Sequence, residues 1–421
     1  MEATPHKGQT AGAPEHVTLY AWLVFALSFG LLISDYMARQ VLNAVFPLLK
    51  AEWSLSDTQL GLLSGIVAIM VGVLTFPLSL MADRWGRVRS LTVMAILWSA
   101  ATLFCAAAHS YTAMLIGRAL VGIGEAAYGS LGIAVVISVF PARLRATLSA
   151  AFMAGGSFGQ ILGVALGGVI AASHGWRIAF AAIGIAGLVL GLIYPIIVSE
   201  RRIKKLIGDA PRTGAPVAQL PLRDLVGNRS IRRVYIASGL QLFAAGALPA
   251  WLPSYFNRYY HLPVDRAGAL AAALLLICGV GMILCGMLAD RLARERPEAK
   301  ITLAIGYCLA TALCLSLAML LPPGPAQLLL FGFTMFFVAG TVGPVGAMVA
   351  NLTPLAIHGS AFATLTLANN LLGLAPGPIL TGRIADALGL AEAIRILAVP
   401  CVASAFIHAT LRQSYLRDAM R

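Results

Sequence analysis

Twelve apolar runs follow one another along the chain, joined by short polar segments. Most are close to the roughly 20 residues a helix needs to cross a bilayer. In a bilayer a backbone must satisfy its own polar groups, and with runs of this length it does so as helices. The runs cover residues 18–48, 58–81, 90–108, 111–140, 146–172 and 176–198, then 232–257, 266–289, 300–321, 325–352, 360–385 and 392–411. The expected fold class is all-α, a polytopic membrane protein of twelve transmembrane helices. Only 11% of residues are charged, against about 25% in soluble proteins. A net charge of +13 invites a nucleic-acid partner, but the distribution of the bases excludes one. With both termini placed inside, 22 of the 30 Lys and Arg fall on inner segments. The outer segments carry only Lys50, Arg177, Arg258, Arg266, Arg383 and Arg395. This is the bias of a multi-pass protein with cytoplasmic N- and C-termini, expected in a plasma membrane, the inner membrane of a bacterium. Residues 1–16 are polar and the run after them is too long for a signal peptide.

The two halves repeat. Ser79-Leu-Met-Ala-Asp83-Arg84-Trp-Gly86-Arg87 follows the second run, and Gly286-Met-Leu-Ala-Asp290-Arg291-Leu-Ala-Arg294 follows the eighth, 207 residues later. Two six-helix bundles are expected, at 1–198 and 232–421, related as transporter repeats are. Between them, 199–231 reads as a basic cytoplasmic linker with an interfacial helix.

Charge inside the membrane is costly and marks function. Of 17 acids, only Asp35 and Glu125 lie deep within runs, and Arg39 and Arg118 are the only deep bases. All four are in the first half. Asp35 and Arg39 are one turn apart. Arg118 and Glu125, seven residues apart, share a helix face about 10 Å apart along the axis, with Gly122 and Gly124 between them for close helix approach. The second half offers Gln241, Asn351, Asn369 and Asn370 with Phe243 and Trp251.

The repeated loop resembles the G-x-L-A-D-R-x-G-R-R motif of the major facilitator superfamily, with Ser79 for the first glycine and Val88 interrupting the basic pair. Within that superfamily the first half is most similar to the Spinster-type lipid transporters. The resembling residues are Asp35-Tyr36-x-x-Arg39, Leu55-Ser-Asp57-Thr-Gln59-x-Gly61, Trp98-Ser99, Arg118-x-x-x-Gly122-x-Gly124-Glu125-Ala126-x-Tyr128, Phe140-Pro141-x-x-x-Arg145 and Gly175-Trp-Arg177-x-x-Phe180. The resemblance implies that Glu125 couples protons, that Arg39 and Arg118 line a central cavity, and that the Asp83 loop closes the cytoplasmic side. Spinster-type chains carry Asp-Arg on the first span. Here Ala38 precedes Arg39, so either Asp35 takes that acid's place or coupling rests on Glu125. Organic-anion uptake carriers share the Gly-Glu-Ala signature.

The sites expected are therefore a proton site at Glu125 and Asp35, and a substrate site of Arg39, Arg118, Tyr36, Phe243, Asn369 and Asn370. A cytoplasmic gate is expected from Asp83, Arg84, Arg87 and Arg145 with Asp290 and Arg291. Gly155-Gly-Ser157-Phe-Gly159 matches a hydrolase nucleophile elbow, but its glycine-rich membrane run suits helix packing instead. The scattered histidines and the six cysteines, none in a CxxC, give no metal site. The Tyr255–Tyr260 aromatics read as an interfacial belt, and Arg383 with Asp386 as a local ion pair. The chain reads as a monomeric secondary transporter rather than an enzyme. It needs no cofactor beyond the proton and exports a lysolipid-like amphiphile with its head on the first half and its apolar body on the second. A proton symporter for small organic anions is the alternative, and a non-transporting receptor or scaffold a third.

Overall fold

The computed structural model describes residues 17–207, 228–295, 298–354 and 357–419, and among them there are helices and no strands. The first half holds α1 (Leu19–Trp53), α2 (Asp57–Trp85), α3 (Arg87–Ala106), α4 (Tyr111–Glu125), α5 (Tyr128–Ser138), α6 (Arg145–His174), α7 (Trp176–Ile197) and the short α8 (Glu200–Ile207). The second holds α9 (Arg229–Tyr259), α10 (Val264–Glu295), α11 (Ala299–Ala318), α12 (Pro325–Val338), α13 (Val342–Leu352), α14 (His358–Asn369), α15 (Pro376–Leu388), α16 (Leu390–Ile396) and α17 (Ala398–Ala419). Of the expected linker, α8 is described and 208–227 lies outside the described residues.

Eleven helical stretches are long and apolar enough to cross a membrane. The run expected at 360–385 is built differently. It is α14, a π-helical turn at Asn370–Leu374, and α15 in succession. The cause is local: Pro376 and Pro378 lack the N–H groups a continuous α-helix needs, and the ladder widens just before them. The fourth run of each half is also broken, after Glu125 in the first and after Val338 in the second.

Local signals set the helix ends. α2 opens on a capping box, in which the Ser56 hydroxyl accepts from the Gln59 N–H and the Gln59 side chain accepts from the Ser56 N–H. Gly86 has φ 99°, which lets α2 end and α3 begin with one residue between them. The Glu200 carboxylate accepts the Arg87 and Val88 N–H groups, both at 3.1 Å, and so caps α3.

The glycines of α6 lie against α1: Gly155 on Phe29, Gly156 and Gly159 on Tyr36, Gly163 on Met37 and Gln40. They serve packing, as the sequence predicts for this run. The two halves meet mainly along two seams, α2 on α14–α15 and α6 on α10, and α1 also touches α9, where Phe46 packs on Trp251. Both seams are glycine-lined; a Cβ on Gly65 would lie 2.6 Å from the Ala375 carbonyl oxygen, and one on Gly168 3.1 Å from that of Val264.

Candidate functional site

α1 carries Asp35 and Tyr36 side by side and Arg39 one turn later, and α4 brings Arg118 against it. Gly122 and Gly124 let α4 sink against α2 and α3, since a Cβ on the first would meet Val67 backbone and one on the second Trp98 backbone within about 3 Å. Asp35 and Glu125 are both buried, at 6% and 7% exposure. The two acids are near enough to act on each other electrostatically, and Arg39 acts on both. Asp35 Oδ1 and Glu125 Oε1 have no hydrogen-bond partner. The sequence placed these acids on different spans; the structure joins them into one pair.

The two deep arginines differ. Arg118 is wholly buried and spends its donors on backbone. Nη1 donates to the Ala38 carbonyl at 2.8 Å, Nη2 to that of Arg39 at 2.9 Å, and Nε to that of Leu63 at 3.3 Å. It ties α4 to α1 and α2 through these three bonds. Arg39 is half-buried and has no ion pair within 4 Å among the described residues. Of the two, Arg39 is the base with donors to spare. Removing the three-carbonyl grip should cost the fold on the order of 3 kcal/mol. Arg118→Ala is thus expected to lower the thermal midpoint in detergent markedly, and Arg118→Lys to recover little, since one ammonium cannot span three carbonyls. Unchanged midpoints would contradict this role.

A cavity of about 160 Å³ lies between the halves. Ser157 and Gln160 of α6 line it from the first half; Ala245, Leu275, Cys278, Met282, Ala339 and Leu374 line it from the second. None of the six expected substrate residues lines it; Arg39, Arg118 and Tyr36 belong to the α1–α4 cluster. Phe243 is not on its wall; its carbonyl abuts Gly377. Asn369 accepts a 2.7 Å bond from Ser238, and Asn370 is buried against Gly72 of α2. Gln241, Asn351 and Trp251 likewise bond within their own half, to Thr311 and the Val338 carbonyl, to Tyr415, and to the Pro378 carbonyl.

At the face of the 54–57 and 260–263 joints, a network crosses between the halves. The Asp57 carboxylate accepts from Lys50 at 2.5 Å and from both terminal nitrogens of Arg258 at 2.6 and 2.8 Å. Asp386 accepts the Asp57 N–H at 2.7 Å, the Thr58 N–H at 2.8 Å and the Thr58 hydroxyl at 2.5 Å. The second half thereby caps a helix of the first. The expected local pairing of Arg383 with Asp386 does not form, because the N-terminus of α2 offers Asp386 three donors. The Tyr255 cluster is corrected too. Tyr255 and Phe256 are buried, Tyr260 bonds to Gln327, and Tyr259 accepts from the Ala391 N–H, so these rings pack inside rather than forming a belt.

The opposite face carries the repeated loops. Arg84, Arg87, Asp290 and Arg291 are exposed there without an ion pair among the described residues, and Arg145 is half-buried with its Nε unpartnered. The Asp83 side chain lies outside the described residues. The molecule is thus latched at the Asp57 face, while these loop residues make no ion pair among the described residues.

Comparison with known proteins agrees with this architecture. The chain is 20% identical in sequence to the crystal structure of a bacterial homolog of the human lysosomal transporter Spinster, in its inward-facing and unoccupied conformation. That match has a TM-score of 0.82 and covers 96% of this chain and 99% of the other. A D-xylose-proton symporter matches with a TM-score of 0.73 at 19% identity, over 92% and 96% of the two chains. Among curated proteins, the hexuronate transporter of Bacillus subtilis is 23% identical over 87% of this chain and 88% of its own length. The sphingosine-1-phosphate transporter SPNS2 of Danio rerio is 25% identical over 86% and 75%. Residues 28–378 match the model of the Major Facilitator Superfamily. This membrane transporter, no enzyme, belongs to the major facilitator superfamily.

Proposed function

We propose that the chain exports a zwitterionic, lysolipid-like amphiphile in exchange for protons by alternating access. The observation that carries this reading is the Asp35–Glu125 pair with Arg39 half-buried and unpaired beside it. In the empty site Asp35 and Glu125 share one proton, so with Arg39 and Arg118 the four groups carry one positive charge. A phosphate on Arg39 leaves the acids needing a positive charge. A headgroup's own cation supplies it and displaces the proton, which gives exchange. A plain organic anion supplies none, so it would carry a proton with it as a symport. That second reading draws support from the hexuronate-transporter relative. The uncharged second half, with Leu275, Met282 and Leu374 on the cavity wall, favours an apolar body and hence the amphiphile.

In this reading the excess of inner bases places both termini in the cytoplasm. The latched Asp57 face is then the outer one and the state inward-facing. The Asp83 and Asp290 loops, with Arg84, Arg87, Arg145 and Arg291, engage when the cavity opens outward. A series of one headgroup with lengthening chains tests the substrate. Affinity for the purified protein is expected to rise by up to about 0.8 kcal/mol per buried methylene. An affinity independent of length, with hexuronate bound as well, would replace the exporter by the symporter.

A further inference from the structure

The cavity has a polar wall that the charged cluster does not use. Ser157 and Gln160 stand one turn apart on α6 and face it together. Gln160 is held by a run of side chains reaching across the first half. Its Oε1 accepts from Gln40 Nε2 at 3.4 Å, Gln40 Oε1 accepts from Asn43 Nδ2 at 2.6 Å, and Asn43 Oδ1 accepts from the Ser64 hydroxyl at 3.1 Å. The run turns the Gln160 oxygen toward α1. Among the described residues neither its Nε2 nor the Ser157 hydroxyl makes a hydrogen bond. Two amide N–H groups and one O–H are therefore free at this wall.

What these donors can take follows from the rest of the lining. No acidic or basic side chain lines the cavity. An ion placed here would lose its hydration with no counter-charge to replace it. A ligand with many hydroxyls would leave several of them unpaired against Leu275, Met282 and Leu374. A carbonyl with one hydroxyl beside it, both neutral and on an apolar body, satisfies the three donors and meets the opposite wall. The volume, about 160 Å³, is near that of a cavity that admits benzene, so it holds one portion of a substrate and not a whole lipid.

We infer that Ser157 and Gln160 form a neutral subsite for the linkage region of the amphiphile, the ester carbonyl and the free hydroxyl that lie between its charged head and its chain. This rests on the exporter reading and names what the substrate must carry besides charge and chain.

The test compares two probes of equal chain length with the same phosphocholine head, on the full-length protein in nanodiscs. One is a lysophosphatidylcholine, with ester and hydroxyl; the other is an alkylphosphocholine, whose chain joins the phosphate directly. The parent is expected to prefer the first by about tenfold, the worth of one to two hydrogen bonds. Gln160→Leu is expected to erase that preference and Ser157→Ala to reduce it. Neither should change affinity for the alkylphosphocholine, whose retained binding also shows that the variants fold. Equal losses for both probes, or no change for either, would overturn the subsite. If the parent itself binds neither lipid but binds hexuronate, the exporter reading fails and takes the assignment with it. That failure is distinguishable because it appears without any substitution.

Discussion

Glu125→Gln is expected to abolish gradient-driven transport while leaving substrate binding near the parent's. The amide keeps the size and hydrogen-bonding reach of the acid but cannot take up a proton. Because Asp35 and Glu125 act on each other electrostatically, removing one titratable partner changes the charge the other must balance. Asp35→Asn is accordingly expected to give a similar loss, which tells whether Asp35 stands in for the acid that Ala38 replaces. In proteoliposomes with an imposed pH gradient, flux through Glu125→Gln should fall to that of protein-free vesicles. Exchange without a gradient should persist, because the headgroup contacts at Arg39 remain. Gradient-driven flux at the parent's rate would remove Glu125 from the proton path.

The latch at the Asp57 face gives the second large effect. Arg258→Ala removes the two-pronged grip on an Asp57 side chain that is only 4% exposed, and leaves it with Lys50. Hydrogen bonds to charged groups are worth about 1.5–3 kcal/mol each, and water recovers part of that at a protein face. A net shift on the order of 2 kcal/mol corresponds to roughly 30-fold in the equilibrium between closed and open Asp57 faces. Distances between spin labels placed on the two halves at this face should show a separated population that the parent lacks. Asp386→Ala, which uncaps α2 from across the interface, should move the same way by less, because Asp386 is exposed. An unchanged distance distribution in both variants would mean that the glycine seams alone hold this face shut.

The spans were legible because a bilayer imposes length and hydropathy on each helix separately, and most ends lie within a few residues of the apolar limits. The eleventh run kept its length but not its form. Pro376 and Pro378 stood in the sequence as a warning, yet a missing N–H does not say whether a helix kinks, breaks or widens into a π turn. The depth of Arg118 was readable and its direction was not. A side chain that long reaches either the cavity or the carbonyls of Ala38, Arg39 and Leu63, and only the packing of α4 on α1 decides. The latch had no local signal, since Asp57 and Asp386 are 329 residues apart and each resembles an ordinary joint acid. Gln160 was hidden by the glycine run around it, which accounts for itself by packing on α1.

The coupling of proton to substrate at Asp35, Glu125 and Arg39 is tested most directly by proton movement evoked by substrate. Protein in vesicles holding a pH-sensitive dye is given lysophosphatidylcholine, then hexuronate, without an imposed gradient. The account predicts a proton flux opposite in direction to that of the lysophosphatidylcholine, absent in Glu125→Gln and in Arg39→Ala. A flux evoked by hexuronate alone and running with it, or lysolipid transport with no proton movement, would contradict it.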